Sequence, residues 1–203
     1  MTIGAAVRDR VEEPAWDIAR LFPFQGEWSE EEYLALDTNQ LVELTNGTIE
    51  VLSMPTARHQ RIALFLYRLL WTFANDRSLG EVLTAPFRVR LGVRKYREPD
   101  VIFISAEKIA WQKEQYWEDV DLVMEVVGAD DPKRDYERKR REYAEAGIAE
   151  YWIVDPQRRL IVVLQLQGQA YVVYGEFGVG ATATSALLPA FGVDVAEVFA
   201  VPQ

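Results

Sequence analysis

The run Leu122-Val123-Met124-Glu125-Val126-Val127 is apolar except for one carboxylate, and a charged segment from Asp130 to Arg141 follows it directly. A short apolar run of this kind reads as a buried strand. In strand geometry Val123, Glu125 and Val127 share one face, and Leu122, Met124 and Val126 share the other. Glu125 therefore sits where its neighbours predict burial. A buried, unpaired charge costs several kcal/mol or more, so this carboxylate needs a cation, a proton or a metal beside it. Whatever fold the chain adopts must bring one there.

The next segment offers a cation. Its pattern predicts a helix from about Pro132 to Ala146, stopped by Gly147. Tyr136, Lys139, Tyr143 and Ala146 recur at steps of three and four and so share one face. The two tyrosines mark the side turned to a sheet and bring Lys139 inward with them, while Arg134, Arg138 and Arg141 are expected to point elsewhere. Taken alone, the helix also reads as a solvated surface held by Asp135–Lys139 and Glu137–Arg141 pairs, each worth a few tenths of a kcal/mol. The preceding glutamate favours the inward lysine.

The remaining chain supplies a sheet and its covering helices. No steady period runs through residues 1–25, which read as an arm, and residues 26–203 read as a single domain. Ser29-Glu30-Glu31-Glu32 is a capping-box pattern that opens a short helix through about Leu36. Asn46-Gly47 between Val42–Thr45 and Thr48–Leu52 predicts a hairpin. Ile62, Leu66, Leu69, Leu70 and Phe73 carry helical spacing within a long helix from about Thr56 to Asp76. Strands are expected over 81–91, 100–105, 122–127 and 150–154, with a loop or short helix over 106–119. A second hairpin turns at Gly168-Gln169, and Asp194 caps a last helix, Val195–Phe199. Mostly sequential strands with few helices predict an α/β fold with one mixed, strongly bent sheet.

Composition narrows the chemistry. The 203 residues are 49% hydrophobic, enough for a sizeable core. Cysteine is absent and His59 is the single histidine. Disulfides, a thiolate nucleophile and a multi-histidine zinc site are thereby excluded within one chain. A metal would be held mainly by carboxylates, which suits Mg²⁺ or Mn²⁺. The amino terminus lacks the apolar core of a signal peptide and no stretch is long and apolar enough to span a bilayer, so a cytoplasmic protein without membrane contact is expected. A net charge of −10 argues against tight non-specific binding to nucleic acid, although a local basic surface suffices to place a phosphodiester.

Glu98-Pro99-Asp100 opens the strand Val101-Ile102-Phe103-Ile104, which sets Asp100 at a strand mouth. If that strand neighbours the Glu125 strand, the two carboxylates meet at one end of the sheet, where their repulsion raises a pKa or recruits a divalent cation. Asp100 reads equally well as a turn cap after Pro99.

Together, Glu-Pro-Asp-Val, Asp121 to Val127, Asp135-Tyr136-Glu137-Arg138-Lys139 with Tyr143-Ala144 and Ala146-Gly147, and Glu150-Tyr151-Trp152-Ile153-Val154-Asp155-Pro156 resemble the bacterial "putative restriction endonuclease" family of the PD-(D/E)XK nuclease superfamily. The resemblance runs from the Ser29 helix to the Phe199 helix. It implies a restriction-endonuclease-like core, a mixed bent sheet flanked by helices, with an N-terminal helix and β-hairpin added. It also implies that Asp100 and Glu125 are metal ligands and that Lys139 takes the place of a lysine that much of the superfamily carries two residues after the glutamate, where this chain has Val127. Glu43 matches an acidic residue often added to the site, and His59 a histidine near the start of the long helix. Gly128-Ala129 departs from the usual Ser-Pro.

The implied activity is Mg²⁺-dependent hydrolysis of DNA phosphodiesters, with Lys139 positioning the attacking water or stabilising developing charge and Glu43 completing the metal shell or orienting a bound water. Arg88, Arg90, Arg94, Lys95 and Arg97 either contact the nucleic-acid backbone or form a solvated edge. Two alternatives stand beside it: a non-catalytic nuclease-fold binding or assembly module, and a nuclease subunit targeted by a protein partner. The Trp111/Tyr116/Trp117 cluster, or an exposed strand edge, supports a homodimer or packs on the chain's own core.

Overall fold

The computed structural model describes residues 23–38 and 40–201. Most of the expected arm over 1–25 therefore lies outside the described residues.

The strands form two main sheets, each with helices packed beside it. The Ser29 hydroxyl accepts from Glu32 N while the Glu32 carboxylate accepts from Ser29 N, and this reciprocal cap starts α1 (Glu30–Leu34). Strands β1 (Val42–Thr45) and β2 (Thr48–Val51) meet at Asn46-Gly47, both with positive φ, as a two-residue hairpin turn requires. A side chain at Gly47 would collide with the Gly26 carbonyl, because Gly26 and Trp28 donate to the Gly47 carbonyl. Thr56 caps the long helix α2 (Ala57–Asp76), whose Ile62, Leu66 and Leu70 are buried, as their spacing predicts.

The expected strand over 81–91 is instead two strands, β3 (Gly80–Thr84) and β4 (Arg88–Gly92), which lie in different sheets. Pro86 stands between them. Next come β5 (Lys95–Arg97) and β6 (Val101–Ser105), again in different sheets, with Pro99 between them. Proline has no N–H to continue a ladder, and both changes of sheet occur at one. The expected single bent sheet is thus divided. One sheet has the order β2-β1-β5-β4-β7, with β7 spanning Tyr116–Glu118 after a 3-10 turn at Ala106–Trp111.

The six-stranded sheet has the order β11-β10-β9-β8-β6-β3. It contains β8 (Leu122–Val126), β9 (Glu150–Asp155), and the hairpin of β10 (Leu160–Gln167) and β11 (Ala170–Gly178). Only β8 and β9 run parallel within it, and the parallel pair needs a crossover. That crossover is a π-helical segment, Arg134–Lys139, continuing into α3 (Arg140–Glu145). A two-stranded sheet, β12 (Thr182–Thr184) with β13 (Gly192–Asp194), was not expected; it precedes α4 (Val195–Phe199), which Asp194 caps.

Every residue of β8 is buried. Leu122, Met124 and Val126 pack with Ile62, Leu66 and Leu70 of α2, whereas Val123 and Val127 join Tyr143 of α3 and Tyr151 in a second core. Glu125 therefore faces α3. Trp117 is buried edge-on to Phe87, and Tyr116 packs on Tyr96, so of the aromatic trio only Trp111 is exposed.

Candidate active site

Strand β6 pairs antiparallel with β8, with Val101 opposite Met124. Continued by one residue, this register sets Asp100 opposite Glu125. Asp100 Oδ2 accepts from Val126 N at 2.7 Å and lies 3.3 Å from His59 Nε2. His59 occupies the first turn of α2, and the long helix thus reaches the site through its N-terminal end. Burial works against the charged imidazole, but its bond to Asp100 and the charges of Asp100 and Glu125 raise its pKa.

Glu125 has two protein partners on one oxygen. Lys139 Nζ lies 2.7 Å from Oε1, and the Tyr143 hydroxyl donates to the same atom. Burial pushes the Glu125 carboxyl up to about 8; Lys139 opposes this, and the nearby charges of Asp100 and Asp135 add to it. Asp135, 3.6 Å from Lys139, is also raised, chiefly by burial. Lys139 is 4% exposed. Burial works against its charge, but Glu125, Glu43 and Asp135 outweigh burial and hold its pKa above the ordinary lysine value.

Glu43, 0% exposed on β1, stands behind the lysine at 3.9 Å. It pairs with Arg134 and, at 3.4 Å, with Arg97. Burial would raise the Glu43 carboxyl; Lys139, Arg97 and Arg134 outweigh it and lower the pKa. Glu98, 5% exposed beside them, is pushed up to about 7 by burial, with Arg88 opposing.

The inward face of the crossover is as expected for Lys139 and Tyr143, but Arg134 does not point away. It reaches Glu43 and Glu50, and Arg138 also meets Glu50 at 3.1 Å. The reason is the π-helical winding: bonding of residues five apart shifts the phase and carries Arg134 onto the side of Lys139. Arg141 pairs with Glu145 rather than Glu137.

The basic segment is not a free solvated edge, because its cations are engaged within the protein. Arg90 pairs with Glu30 and Glu118, and Arg94 donates to the carbonyls of Gly26 and Trp28. Arg97 is buried against Glu142, Lys95 faces Glu142 and Glu145, and Arg88 lies over the Tyr33 ring. These cations cement the second sheet. The glutamates that answer them lie far away in the chain, so no local pattern announces the pairing; Asp135 was visible only as the i,i+4 partner of Lys139.

Asp100, Glu125, Asp135, Lys139, His59 and Glu98 all line one cleft of ≈ 680 Å³. Among the described residues no three His, Asp or Glu side chains stand in a ready-made metal cluster. The donor chemistry nevertheless fits a hard divalent ion. Among the described residues, Asp100 Oδ1 and Glu125 Oε2 carry no hydrogen bond, and Mg²⁺ is commonly bound by one or two carboxylates with water filling its remaining positions.

This arrangement is a nuclease-like α/β fold with a carboxylate–lysine cleft at the end of its sheet. The crystal structure of a "putative nuclease belonging to DUF820" from Anabaena variabilis superposes on it with a TM-score of 0.71 and 17% identity, covering 85% of this chain and 97% of that one. The chain belongs to the Uma2 family, described as "Putative restriction endonuclease", whose model matches residues 30–196. That membership is consistent with the PD-(D/E)XK superfamily. No curated protein matches the chain.

Proposed function

We propose that the chain is a metal-dependent endonuclease that hydrolyses phosphodiester bonds in DNA. The observation that carries the reading is the meeting of Asp100, Glu125 and Lys139 in one cleft, from three separate segments of the chain. Family membership and the nuclease-like fold support it.

Asp100 and Glu125 would hold Mg²⁺, or Mn²⁺, through the carboxylate oxygens that the protein leaves open. When bound, such an ion lowers the pKa of water and neutralises phosphate charge. The chain's own groups then have separate tasks. Lys139, cationic among three carboxylates, donates hydrogen bonds to the attacking water or to phosphate oxygens as negative charge develops there. Tyr143 fixes Glu125 Oε1 and so aims Oε2 into the cleft. Glu43, with Oε2 engaged by Arg97 and Arg134 and Oε1 accepting from Glu98 N, holds Lys139 in place rather than completing a metal shell. His59 orients Asp100 from the side of α2.

Among the described residues no helix is long and apolar enough to cross a membrane. The activity is placed in the cytoplasm, whose reducing conditions a chain without cysteine tolerates.

The test is incubation of the purified chain with Mg²⁺ or Mn²⁺ and a panel of plasmid, branched and single-stranded DNA. Cleavage is expected with the wild type and is lost in Glu125→Gln and Lys139→Ala. Equal cleavage by these variants, or none by the wild type, rejects the assignment and favours a non-catalytic binding module.

A further inference from the structure

The cleft is not polar throughout. Met54, Pro55 and Leu64 line it together with Asp100 and Glu125, and Met54 and Leu64 are 65% and 56% exposed. Large apolar side chains left open beside the buried Glu125 carboxylate mark a surface that meets something flat and apolar. Arg58, in the first turn of α2, lines the same cleft. Its Nε is buried without an acceptor among the described residues, and its Nη2 reaches the Pro156 carbonyl only at 3.4 Å. Arg134 and Lys139, by contrast, are each held by carboxylates.

Helix α2 carries the same alternation out of the cleft. Leu64, Arg68 and Trp71 follow one another at steps of four and three, so they form one stripe on its exposed side. Trp71 is 45% exposed, and the Arg68 guanidinium lies 5.3 Å from the Phe65 ring. Along the helix axis Leu64 and Trp71 are about 10 Å apart.

Duplex DNA is held mainly by rows of cations on its phosphates, and its stacked bases offer side chains only their edges. The cations from Arg88 to Arg97 are engaged within the protein and supply no such row. An unpaired strand instead needs faces on which bases stack, with guanidinium groups between them. Such an alternation is what the cleft and α2 present.

We infer that the cleft and the exposed stripe of α2 form a track for an unpaired nucleic-acid strand. A base lies against Met54 and Leu64, the adjoining phosphate meets Arg58, and a further base stacks on Trp71. This assignment rests on the nuclease reading and names its substrate class.

The test is fluorescence anisotropy without divalent metal, using labelled oligothymidylate, oligouridylate and duplex DNA of one length, about 15 nucleotides, near the upper end of single-strand site sizes. An unpaired probe is expected to bind at least ~10-fold more tightly than duplex, and Trp71→Ala and Arg58→Ala each weaken it roughly tenfold, as loss of one stacked base or one phosphate contact would. Trp111→Ala, at an exposed tryptophan outside the track, leaves binding unchanged. The two unpaired probes distinguish DNA from RNA. Equal or tighter duplex binding, or full binding by Trp71→Ala, overturns the track. So does a dimer that Trp71→Ala dissolves, which would assign the tryptophan to a contact between copies. Metal-dependent cutting of duplex without preference for an unpaired strand rejects the track alone; neither binding nor cutting of any nucleic acid rejects both readings.

Discussion

Arg97 and Glu142 close a two-point ion pair in the interior, with Nε donating to Oε2 at 2.8 Å and Nη2 to Oε1 at 2.7 Å. The pair ties β5 of the five-stranded sheet to α3, which packs on the six-stranded sheet. Arg97 is also 3.4 Å from Glu43, and Glu43 is 3.9 Å from Lys139. A clamp between the two sheets therefore continues into the candidate site.

Removing only Arg97 leaves Glu142 and Glu43 buried with reduced compensation. Arg97→Met is expected to cost roughly 3–5 kcal/mol, as for other broken buried pairs, read from urea unfolding. Arg97→Met with Glu142→Met should recover most of that loss. Strictly additive single-variant effects would show that the two side chains do not act as a pair.

Lys139 and Tyr143 touch the same oxygen but differ in reach. Lys139→Met is expected to slow plasmid nicking by roughly 10²–10³-fold, the scale for loss of one preorganised donor to developing charge. Tyr143→Phe keeps the lysine and loses only the bond that orients Glu125, so its rate should fall less. Initial rates that rank the two variants in the opposite order contradict these roles.

A ligand that binds the folded chain alone stabilises it by mass action, by about 2.7 kcal/mol at a hundredfold excess over its Kd. Mg²⁺ is therefore expected to raise the melting temperature of the wild type and to leave Asp100→Asn unmoved. This readout needs no catalysis, and an equal rise in both proteins would place the ion elsewhere.

Glu30 offers a pH test away from the cleft. Burial would raise its carboxyl, but bonds from Arg94 N, Arg90 and the Tyr96 hydroxyl outweigh this and lower its pKa below 4.5. A lowered carboxylate stabilises the fold fully above its unfolded pKa, and that contribution is lost as pH falls through the folded value. The stability gap between wild type and Glu30→Gln should hold at neutral pH and shrink below 4.5. A gap that is constant across this acid range would mean that Glu30 is not charged in its pairs.

Local chemistry made much of the fold legible. The Ser29 box, the Asn46-Gly47 turn, the apolar spacing of α2 and the Asp194 cap all lie where their residues predict, because each depends on contacts within a few positions. The break between β3 and β4 was also written in the chain, as Pro86, but the apolar run around it reads as one continuous strand. The π-helical winding of 134–139 carries no comparable signal, and with it the direction of Arg134 was hidden.

By itself the sequence determined that Glu125 is buried and must be answered, since strand alternation and the cost of a buried charge are local facts. It also set Lys139 and Tyr143 on one face of the helix that follows. Only the tertiary structure decided how the cations are divided: Arg97 to Glu142, Arg134 to Glu43, and Lys139 to Glu125 and Asp135. Most of those partners lie on other elements, brought close by sheet pairing and a change in helical winding. Ion pairing has no period of its own, so which charges remain open to a substrate is a property of the fold.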